Sequence, residues 1–466
     1  MPLDLTRRQF AALPLAAAAQ NSRRLNVLMI AVDDLNNRLG CYGDPIVKSP
    51  NIDRLASRGV RFDRAYCQYP LCNPSRTSLL SGRRPDTTQV LDNRTPPRTH
   101  LGDVAFLPEY FKQHGYFTGR IGKIAHGLYE DAVRWDVSEQ SRGRRERGAV
   151  KAAKKAKAET KAGAPPAEGG GGLKLEWIAT GNADADEPDG NTAVRIVKLM
   201  EEKRDRPFFL GAGFHKPHLP WVAPKKYFDM YPAGKIALPK TPATDRDDIP
   251  PVALTRTRGD ESMSDLERRQ AIAAYHACTT FTDAQIGMLL GALDRLKLWD
   301  STVVLFFGDH GWHLNDHLGL WRKMTVFEES ARAPLIVAAP GFKPGVASPR
   351  LVEFVDFYPT LAELCGLPAP QGLEGTSMVP LLRDPQRKWK SAAFTTVARG
   401  RGILGRSVRT GRYRYTEWGP NTAELYDHER DIHEFTNLAN DPKSAKVHEE
   451  LRQLLQKGWR AALPPA

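Results

Sequence analysis

The sequence predicts an α/β protein, with a mostly parallel central sheet flanked by helices and a small α+β unit at the C-terminal end. Three observations predict it. Four short apolar runs have the form of strands buried on both faces: Asn26 to Val32, Tyr116 to Ile121, Pro207 to Phe214 and Ser301 to Phe307. Helical patterns such as Gln270 to Leu296 lie between them, and strands alternating with helices imply a parallel sheet. Each run also delivers polar residues at its carboxyl end: Asp33-Asp34, Lys123 and His126, His215, and Asp309-His310. Ligands of open α/β sheets bind beyond those ends, so one shared site is expected there.

The elements follow in order. Residues 1–25 read as an export leader of the twin-arginine type: Thr6-Arg7-Arg8-Gln9-Phe10 precedes a short, weakly apolar run ending in Ala16 to Ala19. That run is too short to span a bilayer, and no other segment can cross one. A periplasmic or extracellular destination is expected. Residues 26–387 form the expected catalytic domain. Within it, about 138–172 is Lys/Ala-rich, then Pro/Gly-rich, and ends in Gly169 to Gly172, the composition of a solvated, flexible insertion. Residues 388–466 form the C-terminal subdomain. There Arg406 to Thr410 and Arg412 to Trp418 pair around Gly411, Glu424 to Leu438 gives a strand and turn, and Ser444 to Trp459 a closing helix.

The chain has 466 residues, 41% of them hydrophobic, enough for a large core, and a formal charge of +13. Over half of that excess lies between Arg142 and Lys174, where ten Lys/Arg face three Glu. The remainder is only mildly basic, which suits a small anionic substrate, and no aromatic-basic nucleic-acid motif is present. Cys41, Cys67, Cys72, Cys278 and Cys365 are too few for a disulfide scaffold and match no zinc spacing.

Asp33-Asp34 and Asp309-His310 would repel one another in one cleft unless a cation joined them. Oxygen-rich ligation favours Ca²⁺ or Mg²⁺. The alternative is that these aspartates cap helices. In Cys72-Asn73-Pro74-Ser75-Arg76, Pro74 and Ser75 read as a helix start, with Ser75 as the cap. Cys72 is then either a thiolate nucleophile activated by the helix end and Arg76, or a buried structural cysteine.

Cys72-x-Pro74-Ser75-Arg76, with Leu79 to Gly82 after it, resembles the signature of the formylglycine-dependent sulfatases of the alkaline-phosphatase superfamily. Asp33-Asp34, Gly119 to His126, His215 to His218, Asp309 to Trp312, Trp321 to Lys323 and Glu424 to Asp427 resemble further blocks of that family, in family order. Gly40 to Asp44, Ser49 to Asp53 and Gly82 to Thr88 are similar to the iduronate-2-sulfatase branch. The resemblance implies an alkaline-phosphatase-like fold. It implies that Cys72 is oxidised to formylglycine before folding, by a formylglycine-generating enzyme, and that the hydrate attacks a sulfate ester. It implies a Ca²⁺ held by Asp33, Asp34, Asp309, His310 and an oxygen at position 72. Arg76 would hold the modified side chain, Lys123 and Lys323 the sulfate oxygens. His215 would protonate the leaving alcohol, His126 take the second hydrate proton, and His218 contact substrate. The implied substrate is a sulfated saccharide, such as a 2-O-sulfated uronic acid of a glycosaminoglycan. A phosphonate or phosphodiester hydrolase of the same superfamily is the neighbouring alternative, and an inactive anion-binding protein the alternative of another class.

Overall fold

The computed structural model describes residues 24–141, 175–255 and 262–464. The leader and most of the basic insertion lie outside the described residues.

The central sheet has eight strands: β1 (Asn26–Val32), β2 (Val60–Tyr66), β3 (Phe117–Gly122), β4 (Val137–Glu139), β5 (Phe208–Phe214), β6 (Thr302–Gly308), β7 (Leu335–Ala338) and β8 (Val346–Glu353). Their spatial order is β8-β2-β7-β6-β1-β5-β3-β4. All neighbours are parallel except β7, which runs antiparallel to both β2 and β6. The four strands predicted from apolar runs are β1, β3, β5 and β6, the contiguous centre of the sheet apart from the short edge strand β4. Their bounds differ from the expected ones by a residue at most. The side chains of β1 show why the run is continuous: Val27, Met29 and Ala31 enter one core, while Leu28, Ile30 and Val32 enter the core on the opposite face. With both faces covered, alternation disappears from the sequence.

Three helices matter for the site: α1 (Cys72–Ser81), α2 (Pro188–Lys203) and α3 (Asp265–Arg295). Helix α1 is buried along its whole length. It starts at Cys72 rather than at Pro74. Leu71 occupies the cap position without a side-chain hydrogen bond, and Ser75, expected to cap, instead donates its hydroxyl to the Asp309 carbonyl. The tertiary contact outcompetes the local one. Helix α3 does start with a capping box, Ser264 and Glu267 serving each other's backbone N–H groups.

A second sheet of four antiparallel strands follows: β9 (Ala392–Arg399), β10 (Ile403–Thr410), β11 (Tyr413–Gly419) and β12 (Thr422–Asp427). The expected hairpin around Gly411 is β10–β11. Helix α4 (Ala445–Lys457) lays Leu451 against Val408, Tyr415 and Leu425 of this sheet. No helix among the described residues is long and apolar enough to cross a membrane. All five cysteines are free.

Candidate active site

The carboxyl ends of β1, β3, β5 and β6 meet the first turn of α1. Backbone hydrogen bonds lock the strand ends together: the Asp33 N–H donates to Phe214 O, and the Asp309 N–H to Val32 O, both at 3.1 Å. The Asp34 N–H donates to Asp309 Oδ1 at 3.0 Å. Asp34 adopts a left-handed φ of 59°, an unusual state for a non-glycine residue and one that recurs at functional sites. The approach of β3 to β5 depends on Gly122: its φ is +81°, and a Cβ there would lie 2.0 Å from Gly213 O. Lys123 follows immediately. Glu130 then shapes the next turn, accepting the N–H groups of Ile124 and Ala125 at 3.0 and 2.9 Å.

Arg76 is the hub. It is fully buried, and its Nε donates to Asp309 Oδ2 at 2.8 Å while one terminal nitrogen reaches Asp33 Oδ1 at 3.2 Å. The other donates to the carbonyls of Lys123 and Ile124 at 2.7 and 3.0 Å. Lys123 Nζ donates to Asp33 Oδ2 at 2.6 Å, and Lys323 Nζ to Asp34 Oδ1. Cys72 Sγ lies 3.1 Å from Lys323 Nζ and 3.4 Å from His310 Nε2. His218 Nε2 stands 3.7 Å from Asp34 Oδ2. Lys323 comes from a short hairpin, His313–Asn315 paired with Leu320–Arg322, and is flanked by Arg322 at φ 75° and Met324 at φ 74°. Such strained backbone persists only where packing over-determines it.

Three buried carboxylates (Asp33, Asp34, Asp309) face three buried cations (Arg76, Lys123, Lys323). Burial opposes ionisation of Asp33, yet Lys123, His218 and Arg76 hold its carboxyl well below the usual range. Burial wins at Asp34, whose carboxyl is pushed up. Burial and Asp33 push the Cys72 thiol up, but Lys123 and Lys323 outweigh them and lower it. Burial, reinforced by Lys123, pushes His126 down to about 3, so it is neutral near pH 7.

Asp33, Asp34 and Asp309 bring carboxylate oxygens close enough to share an ion, and a second set, Asp34, Cys72 and His310, brings together an oxygen, a sulfur and a nitrogen. Asp34 Oδ2 is buried and makes no hydrogen bond. A buried acceptor without a donor is costly unless a ligand satisfies it. A hard divalent cation fits this donor set, and would give the otherwise balanced cluster a formal excess of two positive charges for an anion.

Asp33, Asp34, Cys72, Arg76, Lys123, Asp309, His310 and Lys323 thus form one contacting cluster, with His218 beside it. His126 and His215 stand at its edges: His126 beyond Lys123 on the same turn, and His215 one residue past Phe214, whose carbonyl accepts the Asp33 N–H. Two other histidines near the motif brace the Lys323 hairpin instead. His313 contacts Thr325 at 2.7 Å, and His317 faces both oxygens of Asp245 at 3.2 Å. Trp221, Trp312 and Trp321 are buried and pack together in one core cluster. Sequence reasoning missed Glu130, Asp189 and Tyr275. Tyr275 lies in the middle of α3, where it reads as one more apolar residue, yet its hydroxyl donates to Asp34 O at 2.7 Å and accepts the Asn36 N–H.

The family model described as Sulfatase matches residues 25–367, and that described as N-sulphoglucosamine sulphohydrolase, C-terminal, matches 310–460. A protein named sulfatase from Formosa agariphila is 34% identical over 447 residues, covering 93% of this chain and 86% of that one. Human iduronate 2-sulfatase is 32% identical over 493 residues, covering 88% of each. Among solved structures, a phosphonate monoester hydrolase of Agrobacterium radiobacter superposes with a TM-score of 0.78 at 23% identity, over 94% of this chain and 96% of that one. At that identity the likeness speaks for the fold.

Proposed function

The chain belongs to the sulfatase family and is a sulfuric ester hydrolase, and on that premise we propose that it desulfates a saccharide, with a 2-O-sulfated uronic acid as the preferred residue and Cys72 converted to formylglycine. One observation carries the reading. Cys72 sits at the head of α1 with 1% of its surface exposed, between Lys323 Nζ and His310 Nε2, and the charges of both Lys123 and Lys323 act on its thiol. The uronate preference rests on the likeness to iduronate 2-sulfatase.

Asp33, Asp34, Asp309 and His310 would hold Ca²⁺, or Mg²⁺ in its place. When present, the ion supplies positive charge against the sulfate, and the hydrated aldehyde supplies an oxygen nucleophile. The protein's own groups do the rest. Lys123 and Lys323 bind sulfate oxygens and meet the charge that grows on them. Arg76 fixes the first turn of α1 and with it the side chain at position 72. His215 donates a proton to the leaving sugar oxygen, because an alkoxide leaves poorly without one. His126, neutral through its burial, accepts a proton from the hydroxyl group at position 72. His218 contacts the substrate beside Asp34.

The catalytic domain spans 26–387 and the subdomain 388–466, a division supported by the second sheet starting at Ala392. The twin-arginine-type leader carries the folded chain out of the cytoplasm, and a formylglycine-generating enzyme acts before that. Mass spectrometry of the peptide around Cys72, coupled to rates on 2-O-, 6-O- and N-sulfated saccharides and on a phosphonate monoester, tests the whole reading. An unmodified thiol in active enzyme overturns the nucleophile, and a phosphonate rate above every sulfate rate overturns the substrate.

A further inference from the structure

We propose that Asp189 is a positioning residue for His215, setting which imidazole nitrogen carries the proton given to the leaving group. The inference rests on the reading of His215 as that proton donor.

Asp189 is the second residue of α2 and is 1% exposed. Both of its carboxylate oxygens are committed to the segment after β5: Oδ1 accepts the His215 N–H at 2.9 Å, and Oδ2 accepts the Lys216 N–H at 2.8 Å. Oδ1 also lies 3.6 Å from His215 Nδ1. That nitrogen is buried and has no hydrogen-bond partner within normal distance. The His215 side chain as a whole is nevertheless 39% exposed, so the open edge of the ring is the Nε2 edge.

The arrangement is directional. A carboxylate beside Nδ1 favours the tautomer with hydrogen on Nδ1, which leaves Nε2 as the nitrogen that gains and loses the proton. The backbone contacts fix where the ring starts, and the carboxylate 3.6 Å from Nδ1 biases how it is turned. The residue therefore orients the donor from behind while Nε2 faces the open side.

The test compares substrates whose leaving groups differ in their need for a proton. The full-length enzyme, its Asp189→Asn and Asp189→Ser variants, His215→Ala, and the Asp189→Asn/His215→Ala pair are assayed on 4-nitrophenyl sulfate and on a sulfated monosaccharide. The nitrophenolate leaves unaided, so its rate also reports whether each variant is folded and has a working site. Orientation of the donor predicts that each Asp189 variant loses about 10²-fold more in kcat on the sugar than on the aryl ester. It also predicts that Asp189→Asn adds no further loss on the sugar once His215 is Ala. Equal losses on both substrates, or a further loss in the double variant, overturn the proposal and leave Asp189 a turn-holding residue. If His215→Ala itself shows no preference for the aryl ester, the assignment of His215 has failed, and the failure is separately visible.

Discussion

Among the described residues, two clusters bring carboxylates and a histidine close enough to share an ion: Asp34 with Asp33, Asp309, Cys72, His218 and His310, and Glu328 with Glu434 and His428. The residue types are similar and the burial is comparable. What differs is the pairing. Glu328 accepts from the Tyr66 hydroxyl and faces Arg332, Arg409 and Arg414, while Glu434 takes Arg414, His428 at 2.9 Å and the Glu328 N–H at 2.9 Å. Three guanidinium groups surround two carboxylates. Burial notwithstanding, those arginines hold Glu328 well below the ordinary range, and Arg414 and His428 bring Glu434 down to about 2. At the other cluster cations and carboxylates are equal in number, Asp34 Oδ2 has no donor, and the Asp34 carboxyl is pushed up. The first arrangement fastens β10 and β11 to the segment ahead of β7. The second keeps an acceptor open for a ligand.

Chelation tests this contrast most severely. EDTA-treated enzyme is expected to lose its activity and regain it with Ca²⁺, and its melting temperature to fall, since an ion at 100 times its Kd stabilises by about 2.7 kcal/mol. Glu434→Gln should show the same chelator response, because its cluster needs no ion. Full activity after chelation would erase the distinction. Next in size, Lys323→Ala should lower kcat by about 10²- to 10³-fold, the usual effect of removing one group that meets transition-state charge. Thermal stability should fall too, because buried Asp34 loses its partner; a rate per folded molecule that persisted would move Lys323 into the fastening class. Glu328→Gln should lose about 3–5 kcal/mol in denaturant unfolding because it strips buried guanidinium groups of their partner. The rate per folded molecule should persist.

The smallest effect is in the pH dependence of stability, and its sign differs between two glutamates. Glu434 has a depressed pKa, so its contribution is complete above about 4.5 and is lost as pH falls towards about 2. Glu424 is raised by burial to about 7, with the Trp418 N–H and Tyr426 O–H opposing. The folded state prefers its neutral form, so its contribution is complete below about 4.5 and declines as pH rises towards about 7. Glu424→Gln should flatten the upper window and Glu434→Gln the lower one, read by chemical unfolding at stepped pH.

The centre of the molecule was legible in the sequence because its constraints are local. A strand buried on both faces must be apolar throughout, and the residues after it must turn, so β1, β3, β5 and β6 and their terminal Asp, Lys and His residues could be found one at a time. The strands β2, β7 and β8 carry mixed or short patterns. Val60–Tyr66 alternates with Arg61, Asp63 and Arg64, and its place is set by partners almost 300 residues away. Supporting residues were illegible for a related reason. Asp189 and Glu130 act through backbone N–H groups, which every residue has, so nothing at the receiving end marks the contact. Ser75 satisfies the local pattern of a helix cap, but the long-range Asp309 carbonyl is the stronger partner for its hydroxyl.

The depth of Cys72 has a consequence for how active protein is made. Once α1 has docked, 1% of that residue is accessible and its neighbours are Lys323, His310 and Asp34, so a modifying enzyme has no approach to the thiol. If Cys72 is converted to formylglycine as proposed, conversion and folding are rival first events for each newly made chain. On that proposal a preparation is expected to hold converted and unconverted chains, which differ in whether they turn over. Its specific activity is a stopwatch reading of that race. Slowing folding during synthesis should raise it, and treating the folded protein afterwards should not.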